Sequence, residues 1–291
     1  MKRLRSIRTF AACAIVCAIA SWGCEDAVPK DYEPQNFVEA FLLVDEPIQN
    51  IIIMRSQPPL DSFSYERALI RDAKVIVRGD GREFELVIDR EGERGWLFPD
   101  TSYKVKPHTR YDIDITFADG SRAFASDTTP GRIDWVRRPP RMARYPLDSV
   151  NLKTPDSLYI EWTRNPDMPW YIISIACLDT LGYGKYLDPP TNEMNRRIYR
   201  PWSEDYQFRE RSAMTFVLST KVPVVWTFFR RYGLHSVTVY SPSYSYLRWF
   251  QQYATKAAYD PLLGNMKGSA IGAFTSAYAL RDTFFILKNQ P

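Results

Sequence analysis

The sequence predicts a mainly β protein built from two β-sandwich domains, with one helix in the C-terminal region. Three observations carry this reading. Apolar and polar residues alternate at period two in short runs between residues 37 and 240. Turn signals such as Asp80-Gly81 and Asp119-Gly120 separate these runs at spacings near ten. Helical spacing takes over only at residues 242–258. Alternation sends every second side chain to one face, so each strand is apolar toward a core and polar toward water. Short strands with tight turns at such regular spacing are the pattern of antiparallel sandwiches.

Residues 38–44, 50–55 and 73–78 read as strands, with Pro47 and the Pro58-Pro59 loop between them. Asp80-Gly81 then supplies a hairpin turn, because both residues accept the positive φ that such turns require. In the returning strand, 83–89, Phe84, Leu86 and Ile88 alternate with Glu83, Glu85 and Val87. Over 110–117, Tyr111, Ile113, Ile115 and Phe117 share one face and Asp112 and Asp114 the other, and Asp119-Gly120 turns the chain into 122–126. Thr128-Thr129-Pro130-Gly131 breaks the pattern. After a short strand at 133–136 comes a basic, proline-bearing stretch, 137–146, so the domain junction is placed here. The first sandwich spans 37–130 and the second 131–291.

In the second domain, Leu158, Ile160 and Trp162 alternate, a loop follows over 165–169, and 170–178 forms the next strand. A strand ending in a buried Trp, a proline-bearing loop and a Tyr-led strand make this domain similar to the immunoglobulin/fibronectin III type at the level of fold. Residues 214–218, 222–229 and 235–240 complete the set. For the helix over 242–258, Ser241 is placed to cap and Pro242 suits a first turn. Its stripe of Tyr246, Trp249, Phe250 and Tyr253 is expected to pack on the sheet. A glycine-punctuated segment, 264–274, and a last strand, 283–288, close the chain.

The N-terminus determines where such a protein resides. Lys2, Arg3, Arg5 and Arg8 precede an apolar run over 10–20, and Ser21-Trp22-Gly23 leads to Cys24. This is the form of a secretory signal peptide, residues 1–23, ending at a cysteine. The apolar run is about half of the roughly 20 residues a spanning helix needs. Cleavage before Cys24 would expose a thiol and an amine, and the spacing resembles that of bacterial lipoproteins, in which the thiol receives a diacylglyceryl group and the amine a third acyl chain; two or more chains anchor stably at about 0.8 kcal/mol per buried methylene. Ser21 and Trp22 depart from the usual pattern before such a cysteine, and cleavage by an ordinary signal peptidase stays open. Residues 24–36, rich in Pro, Asp and Lys, read as a solvated tether. The acidic Glu25-Asp26 pair is also similar to surface-export signals of such lipoproteins.

The whole chain carries a formal charge of +4, but residues 1–23 hold four of its 38 Lys and Arg and none of its 34 Asp and Glu. The remaining 268 residues are therefore neutral, which removes any global argument for nucleic acid. Cys13 and Cys17 lie in the signal and Cys24 is the anchor, so Cys177 stands alone in an apolar stretch as a small buried hydrophobe. The fold then rests on its core without disulfides.

Chemistry-bearing patterns are sparse. His108 and His235 lie far apart without a ligand motif, so no metal is expected. Asp112 and Asp114 share a strand face, as solvation alone predicts. Asp80-Gly81-Arg82, Gly182-Tyr183-Gly184 and the glycines of 264–272 match no phosphate loop. No cofactor or catalytic residue is assigned, and the chain is expected not to be an enzyme. The most suggestive stretch is the long insertion 181–208, with Tyr183, Tyr186, Tyr199, Trp202 and Tyr206 beside Arg196, Arg197 and Arg200. Tyr, Trp and Arg dominate binding hot spots and suit sugars or peptides. Two readings stand side by side: a loop that binds a ligand or partner, or aromatics that fold back to cap the second core.

The order of pieces resembles a family of Bacteroidota-type outer-membrane lipoproteins that carry a domain of unknown function, number 4249. The matching pieces are Cys24, the strand at 38–44, Asp72-Ala73-Lys74-Val75-Ile76-Val77, and residues 111–117 turning at Asp119-Gly120. They continue with Pro130-Gly131-Arg132-Ile133-Asp134, Val237-Thr238-Val239-Tyr240-Ser241 leading to Tyr246-Leu247, and Asn265-Met266-Lys267-Gly268 running to Gly272-Ala273-Phe274. Ser269-Ala270 departs from the family, where a second glycine is usual. The resemblance implies a lipid-anchored surface protein of the outer membrane, often encoded near TonB-dependent transporters, and it transfers no catalytic residue. The function expected is non-catalytic: an accessory binding or assembly component of an outer-membrane uptake system. Its partners would be the membrane through lipidated Cys24, a transporter, and a glycan or peptide ligand, with no nucleic acid. A structural envelope protein with weak protein contacts is the alternative, and a polymer-acting enzyme the last.

Overall fold

The computed structural model describes residues 32–89, 95–146, 158–198, 213–223, 226–255, 260 and 263–289. Contacts group Gln35–Ser56 with Phe63–Pro291 as one compact unit, and Met1–Pro34 with Gln57–Ser62 as another. Of the latter, Pro58 to Asp61 form a turn closed by the Asp61 N–H on the Pro58 carbonyl at 3.0 Å.

The protein is mainly β, as its alternation predicts. The strands are β1 (Asn36–Leu43), β2 (Ile51–Arg55), β3 (Lys74–Gly79), β4 (Arg82–Ile88), β5 (Trp96–Leu97), β6 (Arg110–Thr116), β7 (Arg122–Thr128), β8 (Trp135–Arg137), β9 (Met142–Arg144) and β10 (Tyr159–Trp162). They continue with β11 (Tyr171–Cys177), β12 (Ala213–Val217), β13 (Lys221–Pro223), β14 (Gly233–Pro242), β15 (Lys267–Gly268) and β16 (Ala270–Leu287). One hydrogen-bonded sheet runs in the order β12-β11-β14-β16-β1-β2-β5-β4-β3-β6-β7-β15, with β9 added parallel to the end of β16, and β13-β10-β8 form a second sheet.

Buried apolar side chains gather in two clusters. One is drawn from residues 38–125 with Ala270 and Phe274, the other from residues 133–286. The chain passes from the first cluster to the second between Ala125 and Ile133 and returns to the first at Ala270 and Phe274. The strand pairing continues through both, because β16 pairs parallel to β1 along residues 270–277 and antiparallel to β14 along residues 277–286. Alternation works as expected in β6, where Tyr111, Ile113 and Ile115 are buried. On its other face, Asp112 meets Arg110 at 2.9 Å, and Asp114 meets Arg122 at 2.5 Å and Arg78 at 3.4 Å. These carboxylates belong to a solvated ion-pair face, where water and salt screen each pair and little stability results.

Four elements differ from the sequence reading. A second helix, Tyr65–Ala68, precedes β3, so the C-terminal helix does not stand alone; Ser64 caps it by accepting the Arg67 N–H at 3.4 Å. Residues 222–229 do not form one strand: β13 stops at Pro223 and a 3₁₀ turn covers Trp226–Phe228. Trp226 and Phe229, three apart, are both buried, which a period of three allows and a strand does not. The helix is Tyr244–Thr255, and its cap is Ser243 rather than Ser241: the Ser243 hydroxyl accepts from Tyr246 N–H at 3.1 Å, while Ser241 lies buried within β14. Its aromatic stripe does pack on strands, with Tyr246 4.6 Å from Phe41, Phe250 4.7 Å from Phe216 and Trp249 5.9 Å from Phe37. Finally, residues 270–287 are one 18-residue strand.

Gly272 hides that strand from the sequence. It has φ +118°, and a Cβ there would lie 2.0 Å from the Val38 carbonyl oxygen. The glycine is thus needed for close approach inside a strand pair. Gly268 plays the same part against Arg122, whose carbonyl also takes the Ser269 N–H and hydroxyl at 2.9 Å each. Ser269, the departure from the family pattern, therefore adds a bond at the approach instead of blocking it.

Candidate functional site

The insertion after β11 is built around Asp179. Its Oδ1 accepts the N–H groups of Leu181 at 3.1 Å and Gly182 at 2.6 Å, an Asx turn that reverses the chain as it leaves the strand. Its Oδ2 accepts from Lys185 Nζ at 2.5 Å and from the Tyr186 hydroxyl at 2.9 Å. The Lys185 ammonium, then the Gly182 N–H and the Tyr186 hydroxyl, hold this carboxyl well below the usual carboxylate range. A 3₁₀ turn, Gly184–Tyr186, follows. Gly184 is required there, since a Cβ would lie 2.1 Å from Thr191 Oγ1.

The returning half is held by Asn195, which is buried. Its N–H donates to the Leu181 carbonyl at 2.6 Å, and its Nδ2 donates to the carbonyls of Asp179 at 2.6 Å and Tyr232 at 2.8 Å. One residue thus serves three backbone oxygens. Beyond it, Ile198 N–H bonds to the Arg230 carbonyl and Tyr232 N–H to the Arg196 carbonyl, so that Arg197 and Arg231 face each other in an antiparallel bridge.

Of the residues singled out from sequence, Tyr183 is buried in the second core, its ring 5.2 Å from Phe285 and its hydroxyl accepting from Lys288 N–H at 2.9 Å. It caps the core. Tyr186 is partly exposed, while Arg196 and Arg197 lie on the surface, Arg196 with its guanidinium 5.8 Å from the Tyr232 ring. The structure thus brings Tyr186, Arg196 and Arg197 to one rigidly tied insertion and withdraws Tyr183 from the surface. Tyr199, Arg200, Trp202 and Tyr206 lie outside the described residues, as does Cys24.

Behind the insertion is a cleft of about 450 Å³, lined by Arg144, Tyr183, Leu187, Glu193, Lys288 and Asn289 among others. Lys288 is nearly buried. Its ammonium pairs with Glu193, donates to the Met194 carbonyl at 3.3 Å and lies 4.3 Å from the Tyr183 ring centroid. An ion pair and a cation–π contact in a shielded place are stronger than on the surface, so the cleft floor is preformed.

Sequence reasoning misses Asp179, Asn195, Glu193, Arg231 and Lys288. Asp179 has a readable signal, because Asp-Thr-Leu-Gly after an apolar strand is an Asx-turn pattern. The other four are placed by contacts with residues distant in the chain.

Elsewhere the chemistry is quiet. Burial pushes the Cys177 thiol up, and its Sγ donates to the Asp179 carbonyl at 3.4 Å, so the group is a protonated, half-buried packing element. His108 is exposed, with Nδ1 3.3 Å from Asp167. His235 is buried, with Nδ1 2.9 Å from the Gly233 carbonyl. Among the described residues, no three His, Cys, Asp or Glu gather as metal ligands would. No helix among them is long and apolar enough to cross a membrane.

Comparison with known proteins gives one result about kinship. The model of the family described as Domain of unknown function (DUF4249) matches residues 25–274. No curated protein matches the chain.

Proposed function

We propose a non-catalytic binding or assembly role for this chain, which belongs to the DUF4249 family. In this reading Cys24 is acylated after removal of residues 1–23 and holds the protein on the outer membrane, with 24–36 as tether. It is built as sandwich-like domains at 37–130 and 131–291, a division supported by the presence of two hydrophobic clusters, the first of which also takes Ala270 and Phe274 from the later part of the chain. The protein serves as an accessory component of a TonB-dependent uptake system, and residues 181–208 contact its ligand or partner.

The observation that carries the reading is the construction of the insertion. Asp179, Asn195 and Lys288 commit polar contacts to a segment along which Leu181, Tyr186, Met194, Arg196 and Arg197 are exposed. Loops held rigid while offering Arg and aromatic side chains are how binding surfaces avoid the entropy cost of ordering on contact.

The test is recovery of the native protein from membranes, with mass spectrometry of its N-terminus and of co-purifying proteins. The expected result is an acylated Cys24 and a transporter, with Trp202→Ala and Arg197→Ala abolishing capture while leaving thermal unfolding unchanged. An unmodified N-terminus together with no partner overturns the reading. Stable envelope partners captured without any effect of these substitutions favour a purely structural role instead.

A further inference from the structure

Resting on the reading that the insertion binds a ligand, we propose that the cleft between Arg144, Leu187 and Leu287 takes the carboxylate of a small ligand with an aliphatic body. The cleft holds about 450 Å³, within the roughly 300–1,000 Å³ of small-molecule sites. Much of its polar lining is already committed. Asn289 accepts from the Tyr232 hydroxyl at 2.6 Å and donates to the Pro146 carbonyl at 2.6 Å. The Lys288 ammonium is held by Glu193, the Met194 carbonyl and the Tyr183 ring.

Arg144 is the exception. It is exposed at the end of β9, and its Nη1 donates to the Lys288 carbonyl at 2.6 Å, which fixes the guanidinium at the cleft. Among the described residues no carboxylate pairs with it, and its remaining N–H groups have no acceptor. A guanidinium stays charged at any ordinary pH and presents parallel N–H groups that match both oxygens of a carboxylate. The described lining carries two cations, Arg144 and Lys288, against the one carboxylate of Glu193, which is paired with Lys288. The surplus charge is therefore that of Arg144, and it matches one negative charge, not a polyanion.

The rest of the wall sets the body of the ligand. Leu187 and Leu287 are only partly buried against the second core, and both line the cleft. Arg144 and Leu287 are partners in the parallel pair of β9 with β16, which places the charge beside the apolar wall. Inorganic phosphate gains nothing from the leucines, and a neutral glycan gains nothing from the guanidinium. An aliphatic acid, free or as the C-terminal residue of a short peptide, uses both.

The experiment titrates the whole chain from residue 24 with N-acetyl-leucyl-leucine, its C-terminal amide, hexanoate and inorganic phosphate, read by calorimetry. The dipeptide acid is expected to bind at least about tenfold more tightly than the amide. This comparison is made on the unaltered protein, so it stands whether or not a variant folds. Arg144→Gln is expected to lose about tenfold for the acid and nothing for the amide. Arg144→Lys is expected to restore only part of that loss, because an ammonium lacks the fork. Hexanoate as tight as the dipeptide acid assigns a free acid, and weaker hexanoate assigns a peptide terminus; either supports the proposal. Equal affinity for acid and amide, acid binding unchanged in Arg144→Gln, or phosphate binding as tightly as the acid overturns it. A membrane partner captured through Arg197 or Trp202, with no acid bound, defeats the cleft proposal and leaves the binding reading standing. Neither partner nor acid bound defeats both.

Discussion

The side chain of Asn265 is bonded to the backbone of Phe274 as a neighbouring strand would be. Its Oδ1 accepts the Phe274 N–H and its Nδ2 donates to the Phe274 carbonyl, both at 2.8 Å, and the same Nδ2 reaches the Ser126 carbonyl at 3.1 Å. An amide side chain offers both a donor and an acceptor in this planar arrangement. It ties β16 to β7 beside Phe274, which is fully buried in the first core.

Asn265→Asp keeps the acceptor but turns the donor into an oxygen facing two carbonyls. Asn265→Ala removes both. Each change is expected to destabilise the protein by about 2–3 kcal/mol, since backbone groups in the strand pair lose partners. Urea midpoints measure this, and an Asn265→Asp variant as stable as the parent would refute the bonding role.

Gly272 is predicted to tolerate no side chain. Gly272→Ala would place a methyl 2.0 Å from the Val38 oxygen in a backbone region that L residues avoid. The cost is expected to reach about 3 kcal/mol or to prevent folding. Gly81, at φ +69° with nothing within 4 Å of a Cβ, is the comparison: Gly81→Ala is expected to cost only about 1–2 kcal/mol. Thermal unfolding of the two variants side by side measures the difference.

His235 makes the fold sensitive to acid. Burial lowers its pKa from 6.5 to about 4, against a smaller opposing effect of the Gly233 carbonyl. The unfolded chain therefore takes up a proton at a pH where the folded one does not. Stability is complete above about pH 6.5 and falls as pH drops toward 4. Between about pH 7.5 and 5 the loss is expected to be about 2 kcal/mol. Denaturant unfolding at the two values shows it, and His235→Phe, which retains the ring against Phe229, is expected to flatten the curve.

Asp127 acts in the other direction. Burial raises its pKa despite the hydroxyls of Ser276, Ser243 and Ser245, the first at 2.6 Å. The folded state then keeps a proton that the unfolded chain releases near pH 3.8. The group's contribution is full below that value and is lost as pH rises through the folded pKa. Asp127→Asn is expected to unfold at higher denaturant than the parent at about pH 8, with the gap closing toward about pH 4. A gap that widens in acid would contradict the assignment.

Much of the β pattern is legible in the sequence because alternation reports burial directly, as in Tyr111, Ile113 and Ile115. The helix is legible from the spacing of Tyr246, Trp249 and Phe250, which pack where a stripe must. What escapes is whatever depends on partners far along the chain. Gly272 and the buried Thr275 and Ser276 disguise β16 as a loop, and only pairing with β1 explains them. Ser243 caps the helix in place of Ser241 because β14 continues through 242 to pair with β16. In the insertion, Tyr183 reads as a contact residue, yet its hydroxyl serves Lys288, 105 residues away. The arginines at 196 and 197 carry a composition signal, whereas the opposition of Arg197 to Arg231 has none.

The pairing of Asn36 with Ala270 also sets a timetable for synthesis. At about 5–20 residues per second, the first strand waits on the order of ten to fifty seconds after leaving the ribosome before its parallel neighbour exists. Throughout that interval the backbone edge of residues 36–43 that β16 will pair has no strand beside it. A chain stopped before residue 270 never acquires the strand that joins its two cores.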